Sequence, residues 1–256
     1  MHETRLNFNR TDLRELTAIS IPMVVSQGSF AAMIFFDRYF LSLIDPAHMA
    51  AAMGGGVASF FSIALFQGAL AYGNAMVAQY YGAGEHHKCP KVVTQGLIMA
   101  LTCLPIVALI AFQVDKLFAA MDHDPELVAL EQAYYRIIMM VALFSLCKVC
   151  IASYFSGIGR TRVVMIADVL GVMLNIPLSY VLIFGAMGLP ELGIRGAALG
   201  TVLASLFSLL IFLGFYLSTD HRRQFKVMES FRFDAGIMRR GATPLPAHEG
   251  VQVAPG

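Results

Sequence analysis

Six side chains in this sequence have types and positions that chemistry inside a membrane would use: Asp37, Lys148, Asp168, Asn175, Ser179 and Thr201. All six fall within long apolar stretches. Asp37 sits in residues 19–42, ISIPMVVSQGSFAAMIFFDRYFLS. An ionised Asp near a bilayer centre costs about 2.5–3.5 kcal/mol on insertion scales, so a carboxylate there is a functional candidate. One carboxylate with neutral side-chain oxygens is a donor set for a small hard cation, or for a proton. Neutral amides and hydroxyls can also be satisfied by helix carbonyls, so Asn175 and Thr201 gain meaning only if they share the depth of Asp37. Lys148 and Asp168 lie on consecutive segments joined by a short loop. A structural ion pair is the favoured reading for them, and a second coupling site is the sharper alternative.

The elements that must position these residues follow from composition. Of the 256 residues 57% are hydrophobic and 14% are charged, and the mean hydropathy is +0.67. Soluble domains carry roughly 25% charged residues, so this is a membrane protein. The net charge of +1, with no basic aromatic-interleaved patch, gives no sign of a nucleic-acid partner. Cys89, Cys103, Cys147 and Cys150 lie in or beside apolar segments and read as packed, reduced thiols. The polar N-terminus lacks the pattern of a cleaved signal peptide.

Six long segments are expected at 13–43, 47–81, 91–113, 127–156, 163–187 and 193–217. A span needs about 20 residues, so the fold class is an all-α bundle of six transmembrane helices. Residues 1–12 form a polar N-terminal stretch, 13–218 the six-helix lobe, 219–240 an amphipathic interfacial segment, and 241–256 a disordered tail. Arg5, Arg10, Arg14, Lys88, Lys91, Arg160, Arg162, Arg222 and Arg223 gather on one side, which places both termini in the cytoplasm. Running each segment in its direction puts Asp37 about 9–10 Å, Thr201 about 12 Å and Asn175 about 18 Å from the outer ends. These share an outer-to-middle band, with Ser179 one turn from Asn175 on the same face. Pro22 lacks an N–H and is a candidate kink in the first helix. Arg38, about 100° around the helix from Asp37, is expected to snorkel to the outer headgroups.

Other motifs carry less. Zinc at Cys147-x-x-Cys150 would need two more ligands of the right geometry, and His86-His87-x-Cys89, in a loop, could bind metal only adventitiously, so no metal site is expected. Gly82-Ala83-Gly84-Glu85 is a turn without the Lys of a phosphate loop. The glycines of the second and sixth segments, Gly54-Gly55-Gly56, Gly68, Gly73, Gly193, Gly196 and Gly200, read as close-packing positions. No Ser, His and carboxylate share a membrane depth, so no hydrolase is expected.

Several stretches resemble the multidrug and toxic compound extrusion (MATE) family. They are Pro22 to Asp37 with Arg38-Tyr39-Phe40-Leu41-Ser42; Val77-Ala78-Gln79-Tyr80-Tyr81-Gly82-Ala83-Gly84; Phe155-Ser156-Gly157-Ile158-Gly159-Arg160-Thr161-Arg162; and Leu174-Asn175-Ile176-Pro177-Leu178-Ser179-Tyr180 through Gly188-Leu189-Pro190-Glu191-Leu192-Gly193 and Gly196-Ala197-Ala198. The resemblance implies one six-helix lobe of a two-lobed MOP-superfamily antiporter of the bacterial inner membrane. Such a protein exports amphipathic organic cations in exchange for H+ or Na+, without an organic cofactor. It implies a coupling role for Asp37, Asn175 and Thr201. At Ser179 a longer Asn or Asp is common in the family. The chain ends where a second lobe is expected. The implied alternatives are a truncated lobe without transport, or a lobe covered by a homodimer partner or by a missing second half. A related lipid-oligosaccharide flippase is a further alternative, disfavoured because Arg38, Arg136 and Lys148 are few positives for such a cavity.

Overall fold

The computed structural model describes residues 10–121, 123–219, 224, 225 and 230. Most of the expected N-terminal stretch 1–12, most of the segment 219–240 and all of the tail 241–256 lie outside the described residues. Eight α-helices form the described bundle: α1 (Arg10–Ser42), α2 (Pro46–Ala71), α3 (Gly73–Gly82), α4 (Cys89–Ala120), α5 (Pro125–Met140), α6 (Ala142–Gly157), α7 (Thr161–Phe184) and α8 (Ile194–Tyr216). Five stretches are each long and apolar enough to cross a membrane, α2 and α3 together making one of them, and the bent pair α5–α6 makes a sixth.

Local chemistry sets the helix ends. Asp45 caps α2, its carboxylate accepting from the Ala47 N–H at 2.6 Å, and Pro46 follows at the first turn, where its missing N–H costs nothing. Gly185, at φ 67°, ends α7 in the left-handed region that glycine adopts without strain. The expected fifth segment therefore stops at Phe184, three residues short of 187. The third runs on to Ala120, past the expected 113.

Two expected segments are interrupted. The second breaks at Tyr72, just before Gly73, into α2 and α3. The fourth bends by 51° at Val141, whose φ of −110° and ψ of 15° leave the helical region. The hydrogen-bonded helix of α1, by contrast, is continuous across Pro22.

The long helices run antiparallel between two ends of the bundle. One end carries the α1–α2, α4–α5 and α7–α8 connections and the other the α3–α4 and α6–α7 connections. Each end has its own apolar core. At the first, Phe40, Leu41, Ala51, Ala52, Tyr134, Ile183, Ile194 and Ala197 pack together. At the second, Val77, Tyr154, Phe155, Phe212, Tyr216 and Phe225 do so. Large apolar side chains such as Val24, Phe61, Leu65, Leu109 and Leu210 cover the outside. That surface suits lipid, where the helices satisfy their own backbone groups. Buried polar side chains lie between and beside the two cores: Ser26, Asp37, Asn175, Ser179 and Ser208.

Candidate functional site

Asp37 stands about 8 Å from the end of α1, at 1.5 Å per residue. Its residue exposure is only 3%. One carboxylate oxygen, Oδ2, accepts a hydrogen bond from Thr201 Oγ1 on α8 at 3.0 Å. Thr201 Oγ1 also lies 3.1 Å from the Ala197 carbonyl of its own helix, which anchors the hydroxyl. The other oxygen, Oδ1, has no hydrogen-bond partner among the described residues.

α7 brings up the remaining polar groups. Asn175 and Ser179 are one helical turn apart on one face, and both are fully buried. Their side chains are close enough to act electrostatically on the Asp37 carboxylate, as Thr201 does. Only Thr201 makes an aligned bond, however. Asn175 Oδ1 and Nδ2 and Ser179 Oγ are unpartnered, as is Asp37 Oδ1. Buried polar atoms without partners are rare and each calls for an explanation. Pro177, between the two α7 residues, has no N–H and so leaves the Met173 carbonyl without its helical donor. The close approach of α7 to α8 depends on glycine: a Cβ at Gly200 would lie 3.1 Å from the Ser179 Cα.

The structure thus brings Asp37, Asn175, Ser179 and Thr201 into one buried cluster. Lys148 and Asp168 form a separate one, with Lys148 Nζ 2.8 Å from Asp168 Oδ1. Ser26 of α1 donates to Asp168 Oδ2, so the pair joins α1, α6 and α7. The pair sits nearer the other end of the bundle than Asp37. Arg38 departs from expectation. It turns into the bundle rather than toward headgroups, its guanidinium 5.6 Å from the Tyr134 ring centroid. The space is open because α2 presents Gly56 there, where a Cβ would meet Arg38 Nη2 at 2.8 Å.

Two residues beside the site escape a reading from sequence. Tyr134 of α5 is 5% exposed and within electrostatic reach of Asp37, Arg38 and Thr201. Glu131, one turn away on α5, is 4% exposed. The signal for Glu131 was present: a carboxylate inside an apolar segment is a candidate wherever it occurs.

An apolar cavity of about 400 Å³ lies between α2, α3, α4 and α6, lined by Leu70, Tyr72, Met76, Val93, Gln95 and Cys150 among others. None of the Asp37 cluster lines it. Among the described residues no three His, Cys, Asp or Glu side chains converge as metal ligands. His86 packs instead on Tyr81 at 4.7 Å between ring centroids.

Apolar helices of this length, apolar on the outside and polar within, define a multi-pass membrane protein. The chain belongs to the MatE family, whose model matches residues 22–181. It is 28% identical over 223 residues to the multidrug resistance protein NorM of Vibrio cholerae, covering 87% of this chain and 49% of that one. It is 30% identical over 210 residues to the multidrug resistance protein PmpM of Pseudomonas aeruginosa, covering 79% and 43%. The chain spans about half the length of the curated relatives it matches. Its structure superposes on an outward-facing multidrug resistance MATE family transporter of the MOP superfamily with a TM-score of 0.78 at 23% identity, covering 89% of this chain and 50% of that one. It superposes on the eukaryotic MATE transporter AtDTX14 with a TM-score of 0.74 at 13% identity, covering 90% and 51%. The fold is that of one lobe of these transporters.

Proposed function

We propose that this chain is the cation-coupling lobe of a secondary multidrug antiporter. It exchanges amphipathic organic cations for H+ or Na+ across the bacterial inner membrane, with both termini cytoplasmic. It works as a transporter, not an enzyme. The observation that carries this reading is the buried Asp37 cluster, in which Asn175 and Ser179 stand within reach of the carboxylate, yet one carboxylate oxygen, the Asn175 amide and the Ser179 hydroxyl make no aligned hydrogen bond. A buried carboxyl group with unfilled oxygen acceptors beside it favours a proton or a small cation. Occupation of Asp37 by a proton or Na+ removes that charge, and the lobe then has a reason to repack around α1. The names of NorM and PmpM support multidrug resistance as the substrate class. The apolar cavity has the volume of a drug-sized site.

The test begins with binding, because binding does not require turnover. A cation that binds only the folded chain raises its melting temperature by mass action. For the purified chain, Tm is expected to rise with NaCl against choline chloride, or with falling pH, and Asp37→Asn is expected to abolish the response. In vesicles, drug flux driven by a Na+ or pH gradient identifies the coupling ion. An unchanged cation response in Asp37→Asn would overturn the proposed role.

A further inference from the structure

We infer that Glu131 is the stepping carboxylate through which the coupling cation reaches Asp37 from the end of the bundle that carries the α4–α5 connection. This rests on the coupling role proposed for Asp37.

Glu131 occupies a place shaped for it. Its residue exposure is 4%. The residue opposite it on α2 is Gly54, where any Cβ would fall on the Glu131 carboxylate, and the next, Gly55, lies against the Glu131 backbone carbonyl and Tyr134. The Gly54-Gly55-Gly56 triplet thus does more than bring helices together: at Gly54 it leaves a slot the size of a carboxylate head. A charge in such a slot is costly unless it has a partner or a use.

The two ends of the path are on the page. Toward the bundle end, Glu131 Oε2 is 3.3 Å from His123 Nδ1, and the His123 side chain is 36% exposed. His123 lies in the connection between α4 and α5, so it meets solvent. Toward the interior, Tyr134 is three residues further along α5, a rise of about 4.5 Å on the same face. Tyr134 lies within reach of Thr201 and Asp37. The sequence of groups is therefore His123, Glu131, Tyr134, then Thr201 and Asp37. His123 in the connection faces the Glu131 carboxylate, and Tyr134, on the same face of α5, is within reach of Arg38 and Asp37. On α2, Gly54 and Gly55 face Glu131. Arg38, held over Tyr134 at 5.6 Å, is also within electrostatic reach of the Asp37 carboxylate. A proton on this path breaks an N–H or O–H bond at each group as it forms one at the next, and Na+ instead exchanges one set of oxygen ligands for the next. Glu131 is a positioning residue, since it acts on the coupling site and not on the drug.

Infrared difference spectroscopy of the whole chain in sealed vesicles tests this, using the carboxyl bands that Asp37→Asn removes. The vesicles receive a step in external pH at fixed Na+, then a step in external Na+ at fixed pH. Glu131→Gln is expected to slow the rise of the Asp37 band at least tenfold, with its position and final amplitude unchanged. Glu131→Asp is expected to recover part of the rate. Gly54→Ala, which fills the slot, is expected to slow it as Glu131→Gln does. A wild-type rate in Glu131→Gln overturns the inference. So does a shifted Asp37 band in that variant, because it marks a packing role. If the wild-type spectrum contains no band sensitive to Asp37→Asn, the coupling role itself fails, and this inference with it.

Discussion

Asp37 and Asp168 are both carboxylates on apolar helices, and their surroundings differ in kind. Asp168 has an ion-pair contact with Lys148 at Oδ1, 2.8 Å away, though no aligned hydrogen bond there, and accepts from Ser26 at Oδ2. Asp37 is held by one hydroxyl and keeps an oxygen free. The first arrangement ties helices together, and the second is the one we propose takes the coupling cation. The side chains of Lys148 and Asp168 are 29% and 18% exposed, so breaking the pair should cost less than a fully buried one, about 1–3 kcal/mol. Lys148→Ala and Asp168→Ala are each expected to lower the unfolding midpoint in detergent, and the double variant to cost less than their sum. An additive double variant would show that the pair does not couple. The grouping of Asp37 with Thr201 and Asn175 was legible from depth alone, because helix rise is fixed and a six-span pattern sets direction. The direction of Arg38 is not legible in the sequence. Its long stem permits snorkelling, but the glycine opposite it opens room inside, and which α2 residue faces α1 does not follow from spacing. The signal of Glu131 in the sequence is weakened by its place near a helix start, where acids are ordinary. Only the packing of α5 on Gly54 reveals it as buried.

At the scale of elements, the site is a property of how closely α7 and α8 approach. Gly200 lies against Ser179, and a Cβ at Gly196 would sit 2.5 Å from the Leu182 carbonyl oxygen. Gly200→Ala should force the helices apart, costing about 1–3 kcal/mol as overpacking does, and should weaken cation binding together with stability. Gly214, further along α8, faces open space. Gly214→Ala is therefore expected to be neutral or to stabilise by about 0.5–1 kcal/mol through helix propensity. Thermal unfolding of the two variants side by side separates close approach from backbone entropy. The breaks in the helices were the least legible feature. Pro22, Pro105 and Pro177 all sit within continuous helices. The bend of 51° falls at Val141, where neither Pro nor Gly marks it. A proline removes one donor, and a helix packed on both sides keeps its course. A bend can equally come from packing demands at the junction of two cores, which leave no local signature.

At the scale of the whole molecule, the orientation we propose has both ends of the six-span bundle, with its basic loops, in the cytoplasm. In a chain with its four native cysteines replaced, Met121→Cys should react with an impermeant maleimide added to intact cells, and Ala83→Cys should not. Both positions are exposed at opposite ends of the bundle. The reverse labelling pattern would invert the direction assigned to the Glu131 path. The same architecture also sets a schedule for assembly. Asp37 and Thr201 are 164 residues apart, and Ser26 and Asp168 are 142 apart. At a synthesis rate of roughly 5–20 residues per second, α1 is complete roughly 10–30 s before α8 can bring its hydroxyl to Asp37. Through that interval the first helix made carries its charge without the last one. The nascent lobe therefore needs water, or a protein insertase, beside α1 until its final helix arrives.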